Sequence, residues 1–202
     1  MVGQMQAAFL DNWIETGGVL LDGAEYFPKL DSVGGQAAQA VQLAIASASR
    51  SILIANSYFV PNSLAVAMLV DARWRGVEVE IIVPGPILDA QLVRRASRAK
   101  WGPLLEAGVN IYEYQPTMYH TKVMVVDDYW VSVGSTNFDN RSFRLNDEAN
   151  LNVFDEEFAR AQAGVLAEDR ARSRTVTLEE WRRRPIGERL EELVARMMRH
   201  QL

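Results

Sequence analysis

Between Ser51 and Tyr114 the chain alternates short apolar runs with helical stretches, and Gly or Pro punctuates most of the junctions. Ser51-Ile-Leu-Ile-Ala55 is a strand-length apolar run. A helix follows that either Asn62 or Ser63 can cap and that ends near Arg75, where Gly76 stops it. Val77 to Val83 reads as the next strand, closed by Pro84-Gly85-Pro86. A helix from about Asp89 to Glu106 and a strand from Val109 to Tyr114 complete the series. Strands separated by helices and tight turns imply an α/β layer with several parallel strands.

After Tyr114 the pattern changes. Lys122 to Asp127 and Tyr129 to Val133 are two β-rich runs with almost nothing between them, which predicts an antiparallel hairpin with Asp127 and Asp128 near its tip. Glu148 to Val153 reads as a further strand and Glu156 to Arg172 as a helix. Thr177-Leu-Glu-Glu180 is a capping box opening a short helix that Pro185 stops, and an amphipathic helix is expected over Ile186 to Arg199. Upstream, an Ala-rich helix is expected from Gln36 to Ser49. Residues 1–35 divide into a helix at Gln4 to Trp13 and a Gly-rich connector, so the expected organisation is that segment followed by one domain over 36–202.

The 202 residues suffice for one substantial core, and 49% hydrophobic with 23% charged residues is ordinary for a globular chain. With no cysteine there is neither a disulfide framework nor thiolate chemistry. A net charge of −5 argues against a general nucleic-acid binder, whose affinity comes from neutralising phosphates. No signal peptide is read at the N-terminus, and no stretch reaches the ~18 to 20 apolar residues of a membrane span. The expected location is therefore cytoplasmic, with peripheral contact to the inner face of the cell membrane allowed.

The stretch richest in chemistry is His120-Thr-Lys122, then Asp127, then Gly134-Ser135-Thr-Asn137. On a strand, His120 and Lys122 project from the same side, and the hairpin returns Gly134, Ser135 and Asn137 beside them. An imidazole, a cation, a hydroxyl and an amide then share one small volume. Those are the parts phosphoryl transfer uses: a nucleophile, and donors aimed at the oxygens where charge builds. Gly134 permits close approach of substrate or of neighbouring backbone. A lone His or Lys on a strand is ordinarily a solvated polar residue. Six identities at this spacing arise by chance with odds on the order of one in a few hundred thousand.

The stretch resembles the H-x-K-x4-D-x6-G-S-x-N signature of the phospholipase D superfamily. Asn56-Ser-Tyr58-Phe-Val-Pro61, Leu104-Leu-Glu-Ala-Gly108-Val109 and Asn137-Phe-Asp139-Asn-Arg141-Ser142 onward to Glu148 look like bacterial cardiolipin synthases in particular. The resemblance covers most of residues 36–185. It implies an α/β fold with a phospholipase D-like mixed sheet flanked by helices on both faces. It also implies phosphatidyl transfer through a covalent intermediate on His120, without metal or cofactor. In the implied catalytic set of His120, Lys122, Asp127 and Glu148, Glu148 hydrogen-bonds the imidazole and Asp127 ties down the hairpin. Lys122, Ser135 and Asn137 hold phosphate oxygens, and Gly134 is structural. The implied substrate is a phospholipid such as phosphatidylglycerol, with a glycerol-bearing lipid as acceptor. A phosphodiesterase or nuclease using water, and an inactive half-enzyme, remain alternatives, and nucleic acid is the less expected substrate.

Two departures from the superfamily pattern stand out. Its sites are built from two motifs, whereas this chain has one, and its second histidine, His200, has no Lys two positions on. The second motif is expected either from a missing N-terminal half, because Gln4 to Trp13 resembles the segment that follows the first motif in two-motif enzymes, or from a homodimer mate. The resemblance also calls for a strand and loop after Gly35, where the sequence runs straight into a helix.

Weaker signals have bland alternatives. Arg94, Arg95, Arg98 and Lys100 either steer an anionic headgroup or form a solvated helix face. Arg182-Arg183-Arg184 either meets anionic membrane or is surface charge. Tyr58, Phe59 and Trp130 either line an acyl channel or belong to the core.

Overall fold

The computed structural model describes residues 33–88, 91–144 and 148–184. The expected helices at 4–13 and 186–199, most of the 1–35 segment and His200 lie outside the described residues.

Among the described residues, seven strands form one mixed sheet in the order β6-β5-β4-β1-β2-β3-β7. β1 (Ser51–Asn56), β2 (Glu78–Pro84) and β3 (Asn110–Tyr114) run parallel, joined by helical crossovers. β4 (Lys122–Val126) lies antiparallel to β1, β5 (Trp130–Gly134) antiparallel to β4, and β6 (Asn150–Phe154) antiparallel to β5. This register brings the start of β4, the end of β5 and the start of β6 to the carboxyl end of β1. Asn56 faces Lys122, Val123 faces Val133, and Gly134 faces Asn150.

Each central strand buries both faces. Along β4, Met124 and Val126 enter one apolar cluster while Val123 and Val125 enter the other, the alternation that a pleated strand imposes. The first cluster is roofed by α1 (Val33–Ser47), α2 (Ser63–Trp74) and α4 (Trp101–Glu106) through Ile45, Leu69 and Leu104. The second is covered by α6 (Glu156–Ala171) through Ala159 and Leu166. The expected mixed sheet with helices on both faces is what the chain forms.

Local chemistry explains the boundaries. The Asn62 side chain accepts from the Ala65 N–H at 2.9 Å and so caps α2, and Gly76 ends that helix at φ +92°. Thr177 Oγ1 accepts from the Glu180 N–H at 3.1 Å, opening α7 (Leu178–Arg182) as its capping box predicts. The helix expected over 89–106 is divided into α3 (Gln91–Arg98) and α4. Pro103 accounts for the break: it has no N–H, and its ring would strike the carbonyl of Ala99 in a continuous helix, but it fits a first turn. The sequence reading lacks two elements. β7 (Ser173–Val176) is a polar edge strand anchored mainly by Val176 opposite Ile111, so it shows no apolar alternation. α5 (Asn140–Arg144) is a short turn of helix with no apolar period, started by Asp139, whose Oδ1 accepts from the Ser142 N–H at 2.8 Å.

One expectation on side chains needs correction. Arg94 and Arg98 form neither a solvated face nor an open anion site: both donate to Oε1 of the buried Glu113, at 2.6 and 2.8 Å. Phe59 and Trp130 are core residues, and Trp130 stands opposite Val126 beside the hairpin tip, at the end of β4 remote from His120. Arg182 and Arg183 pair with Glu106 and Glu179, and Arg184 stacks on Trp181 at 3.8 Å.

Candidate functional site

Strand β4 begins only at Lys122, so His120 stands in the segment just before it rather than on the strand. That segment is anchored by Tyr119. Its hydroxyl donates to Asp169 Oδ2 of α6 at 2.9 Å, and its ring packs 4.7 Å from that of Tyr114. Burial, then the bond to Asp169, pushes the Tyr119 phenol well above its ordinary range, so it stays a neutral donor. With Tyr119 tied inward, His120 is left exposed at the rim.

Lys122 Nζ lies 3.4 and 3.3 Å from Nδ1 and Nε2 of His120. An ammonium nearly equidistant from both ring nitrogens must sit over the ring, since in the plane it would overlap the carbon between them. The edges of both ring nitrogens therefore point away from the lysine. The same ammonium donates to Ser57 Oγ at 2.6 Å, and Ser57 Oγ donates to Asn137 Oδ1 at 2.8 Å. His120, Lys122, Ser57 and Asn137 thus form one continuous polar chain at the carboxyl end of β1.

The neighbouring Asn56 locks this arrangement. Its buried Oδ1 accepts from the N–H groups of Tyr58 and Phe138, both at 3.1 Å, which pins the segment carrying Asn137 to the end of β1. Asn56, Ser57 and Tyr119 are the residues that reading the motif alone misses. Only the stretch Asn56-Ser-Tyr58, already notable for its likeness, pointed toward them.

The remaining predicted residues divide by place. Ser135 Oγ donates to Glu148 Oε2 at 2.5 Å and accepts from the Ala149 N–H at 3.0 Å. Glu148 was expected against the imidazole; the bond seen here joins it to Ser135. Gly134 is required by the neighbouring backbone: a Cβ there would run into the Ala149 carbonyl oxygen and Asn150.

Asp127 is at the other end of the hairpin. Its carboxylate accepts from the N–H groups of Ser49, Arg50 and Ser51 at 2.7 to 2.9 Å and from Ser49 Oγ at 2.9 Å. Burial works to raise its pKa, but these donors outweigh it and hold the carboxyl below the usual range. Asp127 and Asp128 both adopt left-handed φ, 54° and 53°, the hand that suits a tight hairpin. Asp127 therefore fastens the turn to the start of β1, five residues of strand away from Lys122.

Among the described residues no group of three or more His, Asp and Glu is placed to hold a metal ion. The assembled chemistry is a surface imidazole with a cation over its ring, backed by a buried hydroxyl and an amide.

Known proteins are similar to this chain in sequence and fold. The chain is 32% identical to the minor cardiolipin synthase ClsB of Bacillus subtilis over 98% of its own length and 52% of that protein. It is 39% identical to the major cardiolipin synthase ClsA of the same organism over 76% of the chain and 32% of the relative. It thus spans about half or less of these curated relatives. In three dimensions it is similar to Nuc, a phospholipase D family member from Salmonella typhimurium, with a TM-score of 0.65 and 26% identity, covering 72% of this chain and 94% of that one. A family model described as "Cardiolipin synthase, PLD-like domain" matches residues 42–169, which contain every strand but β7 and the polar chain of His120, Lys122, Ser57 and Asn137. On these grounds the chain belongs to the phospholipase D-like domain family of the cardiolipin synthases.

Proposed function

We propose that this chain is one half of a phosphatidyltransferase of the cardiolipin synthase type, acting on phospholipid phosphodiesters through a phosphohistidine at His120. The observation that carries the reading is the continuous chain from His120 through Lys122 and Ser57 to Asn137. A ring nitrogen of His120 attacks phosphorus, the P–N bond forms, and the bond to the leaving oxygen breaks. That oxygen takes a proton from an acid supplied by the second half. The acceptor hydroxyl then attacks phosphorus, loses its proton to the same group, and the P–N bond breaks to restore the imidazole. Lys122 supplies a cation where negative charge builds. With Oδ1 held by Ser57, the Nδ2 end of Asn137 is the one left for a phosphate oxygen. Ser135 orients Glu148, and Asp127 serves by fastening the hairpin.

The coverage of ClsB, 98% of this chain against 52% of the relative, supports a missing half as the source of the second motif. A homodimer is the second reading. It is favoured by Nuc, where a match to this one domain takes in 94% of the chain. Contact with the inner membrane face fits Ile87 and Met118, which are exposed and apolar at the same sheet end as His120. Among the described residues, no helix is long and apolar enough to cross a membrane.

The test is turnover of phosphatidylglycerol vesicles, run beside a nuclease assay, by the chain alone and with an added N-terminal half. Lipid transfer with a mass-detectable phosphatidyl adduct at His120 is expected. Nucleic-acid cleavage without lipid transfer would replace this reading with the water-accepting alternative.

A further inference from the structure

The imidazole proposed as nucleophile does not stand on a regular element. His120 belongs to the segment 115–121 between β3 and β4, and its ring is exposed. Its side-chain neighbours are the Lys122 ammonium over the ring face and the Tyr58 ring, edge-on with centroids 6.4 Å apart. A cation over the face and an aromatic edge restrain the tilt of the ring, but neither gives a ring nitrogen a directional bond. Where the imidazole stands is therefore set by the backbone that carries it.

That backbone is held on both sides of His120. On the β1 side, the Ser57 N–H donates to the Thr121 carbonyl at 2.9 Å. On the α6 side, the buried Tyr119 donates its hydroxyl to Asp169 Oδ2 at 2.9 Å. Met118 is exposed, Tyr119 buried and His120 exposed, so seating Tyr119 inward aims its neighbour outward. Asp169 is itself fixed. Its Oδ1 accepts from Arg172 Nη2 at 2.8 Å, which leaves Oδ2 to the phenol, and its main-chain oxygen accepts from Ser173 Oγ at 2.7 Å. The same junction of α6 and β7 holds the start of the segment, because the Arg172 carbonyl accepts from the Gln115 N–H at 3.4 Å.

Packing does not call for this hydroxyl. A phenylalanine at 119 would fill the same volume and keep the stack on Tyr114, whose ring lies 4.7 Å away. The net stability from one hydrogen bond over its hydrated state is small. What the bond adds is direction: stacked rings can slide, whereas a hydrogen bond weakens steeply as its angle departs from linear.

We propose that Asp169, acting through the Tyr119 hydroxyl, is a positioning residue of the reaction: it sets where the His120 imidazole stands relative to the Lys122 ammonium, and so its line of attack on phosphorus. The proposal rests on the phosphohistidine reading above and deepens it. The experiment measures kcat, KM and the rate of phosphatidyl adduct formation at His120, using the full chain in the assembly that turns over phosphatidylglycerol vesicles. Tyr119→Phe is expected to lower kcat and the adduct rate roughly ten- to a hundredfold, the scale of a small misplacement of a reacting group, with KM and inorganic phosphate binding unchanged. Asp169→Ala should act alike, and the double variant should be no slower than either single one, because both cut the same link. Asp169→Asn should recover part of the rate, since its amide can keep an oxygen on Arg172 and donate to the phenol oxygen. Tyr119→Phe keeps the ring and decides the matter should Asp169→Ala fail to fold. A lowered melting temperature with an undiminished kcat in Tyr119→Phe makes the link structural and overturns the proposal, as does a loss confined to KM or to phosphate binding. Losses that multiply in the double variant overturn the pairing of the two residues. In each of those cases adduct formation by the unsubstituted chain leaves the phosphohistidine reading standing. Turnover without an adduct at His120, or no turnover in any assembly, overturns that reading and the positioning proposal with it.

Discussion

At the scale of single residues, His120, Lys122 and Ser57 form one polar chain yet should fail differently. His120→Ala is expected to abolish transfer and adduct formation with a nearly unchanged melting temperature, because the ring is exposed at the rim and lies outside the core. Lys122→Ala should cost about 3 kcal/mol of transition-state stabilisation, the scale of one preorganised electrostatic donor. It should be read from kcat/KM in a reconstituted enzyme. A large loss of stability with little loss of rate would make the lysine structural instead. Glu148→Gln should retain substrate binding and lower kcat, since an amide is a weaker acceptor for the Ser135 hydroxyl and cannot stabilise an imidazolium. The motif residues were legible because six identities at fixed spacing leave little room for coincidence. The role of Ser57 was not, since only the likeness of the stretch Asn56-Ser-Tyr58 marks it until Lys122 and Asn137 are seen on either side of it.

At the scale of elements, the hairpin β4–β5 is held at both ends by side-chain chemistry. Asp127→Ala removes the acceptor of four hydrogen bonds at the tip, and we expect a loss of about 2 to 4 kcal/mol by urea denaturation. Gly134→Ala at the other end forces a methyl into the backbone of β6, at a cost of about 1 to 3 kcal/mol. The former should leave the activity of the folded fraction intact, whereas the latter moves Ser135 and should impair both. The hairpin was legible because two apolar β runs met across two residues. The break between α3 and α4 was written in Pro103, but it yields to reading only when the proline is counted from the new helix start.

At the scale of the whole molecule, two carboxylates give the fold its acid sensitivity. Asp127 and Glu113 both titrate below their ordinary values of 3.8 and 4.5 when folded, so the unfolded chain binds protons first as pH falls. Their contribution is complete above the ordinary carboxylate range and is lost as pH descends through the lowered folded values. Urea midpoints should therefore be flat near neutrality and fall below ~pH 5, with a shallower decline in Asp127→Asn. Assembly is the other property of the whole. Solution mass measured together with phosphatidylglycerol turnover separates the two sources of the second motif. An inert monomer revived by an added N-terminal half supports the half-enzyme reading, and a dimer active by itself supports the symmetric one.

By itself the sequence determined the layer architecture, the caps of α2 and α7, the hairpin and the motif residues proposed to handle phosphate. Each of those depends on local spacing: periods of apolar residues, Gly and Pro at junctions, and a motif contained in eighteen consecutive positions. The tertiary structure alone decided what depends on residues remote in the chain. It joined Ser57 to Lys122 across 65 positions and Asn56 to Phe138 across 82, and it turned Arg94 and Arg98 from a basic helix face into the clamp on Glu113. It also placed Phe59 and Trp130 in the core and tied Tyr119 to Asp169 across 50 positions. The physical reason is that strand order and register, not sequence distance, set which polar groups share a desolvated volume. Only there does a hydroxyl or carboxylate acquire the partners that give it a role.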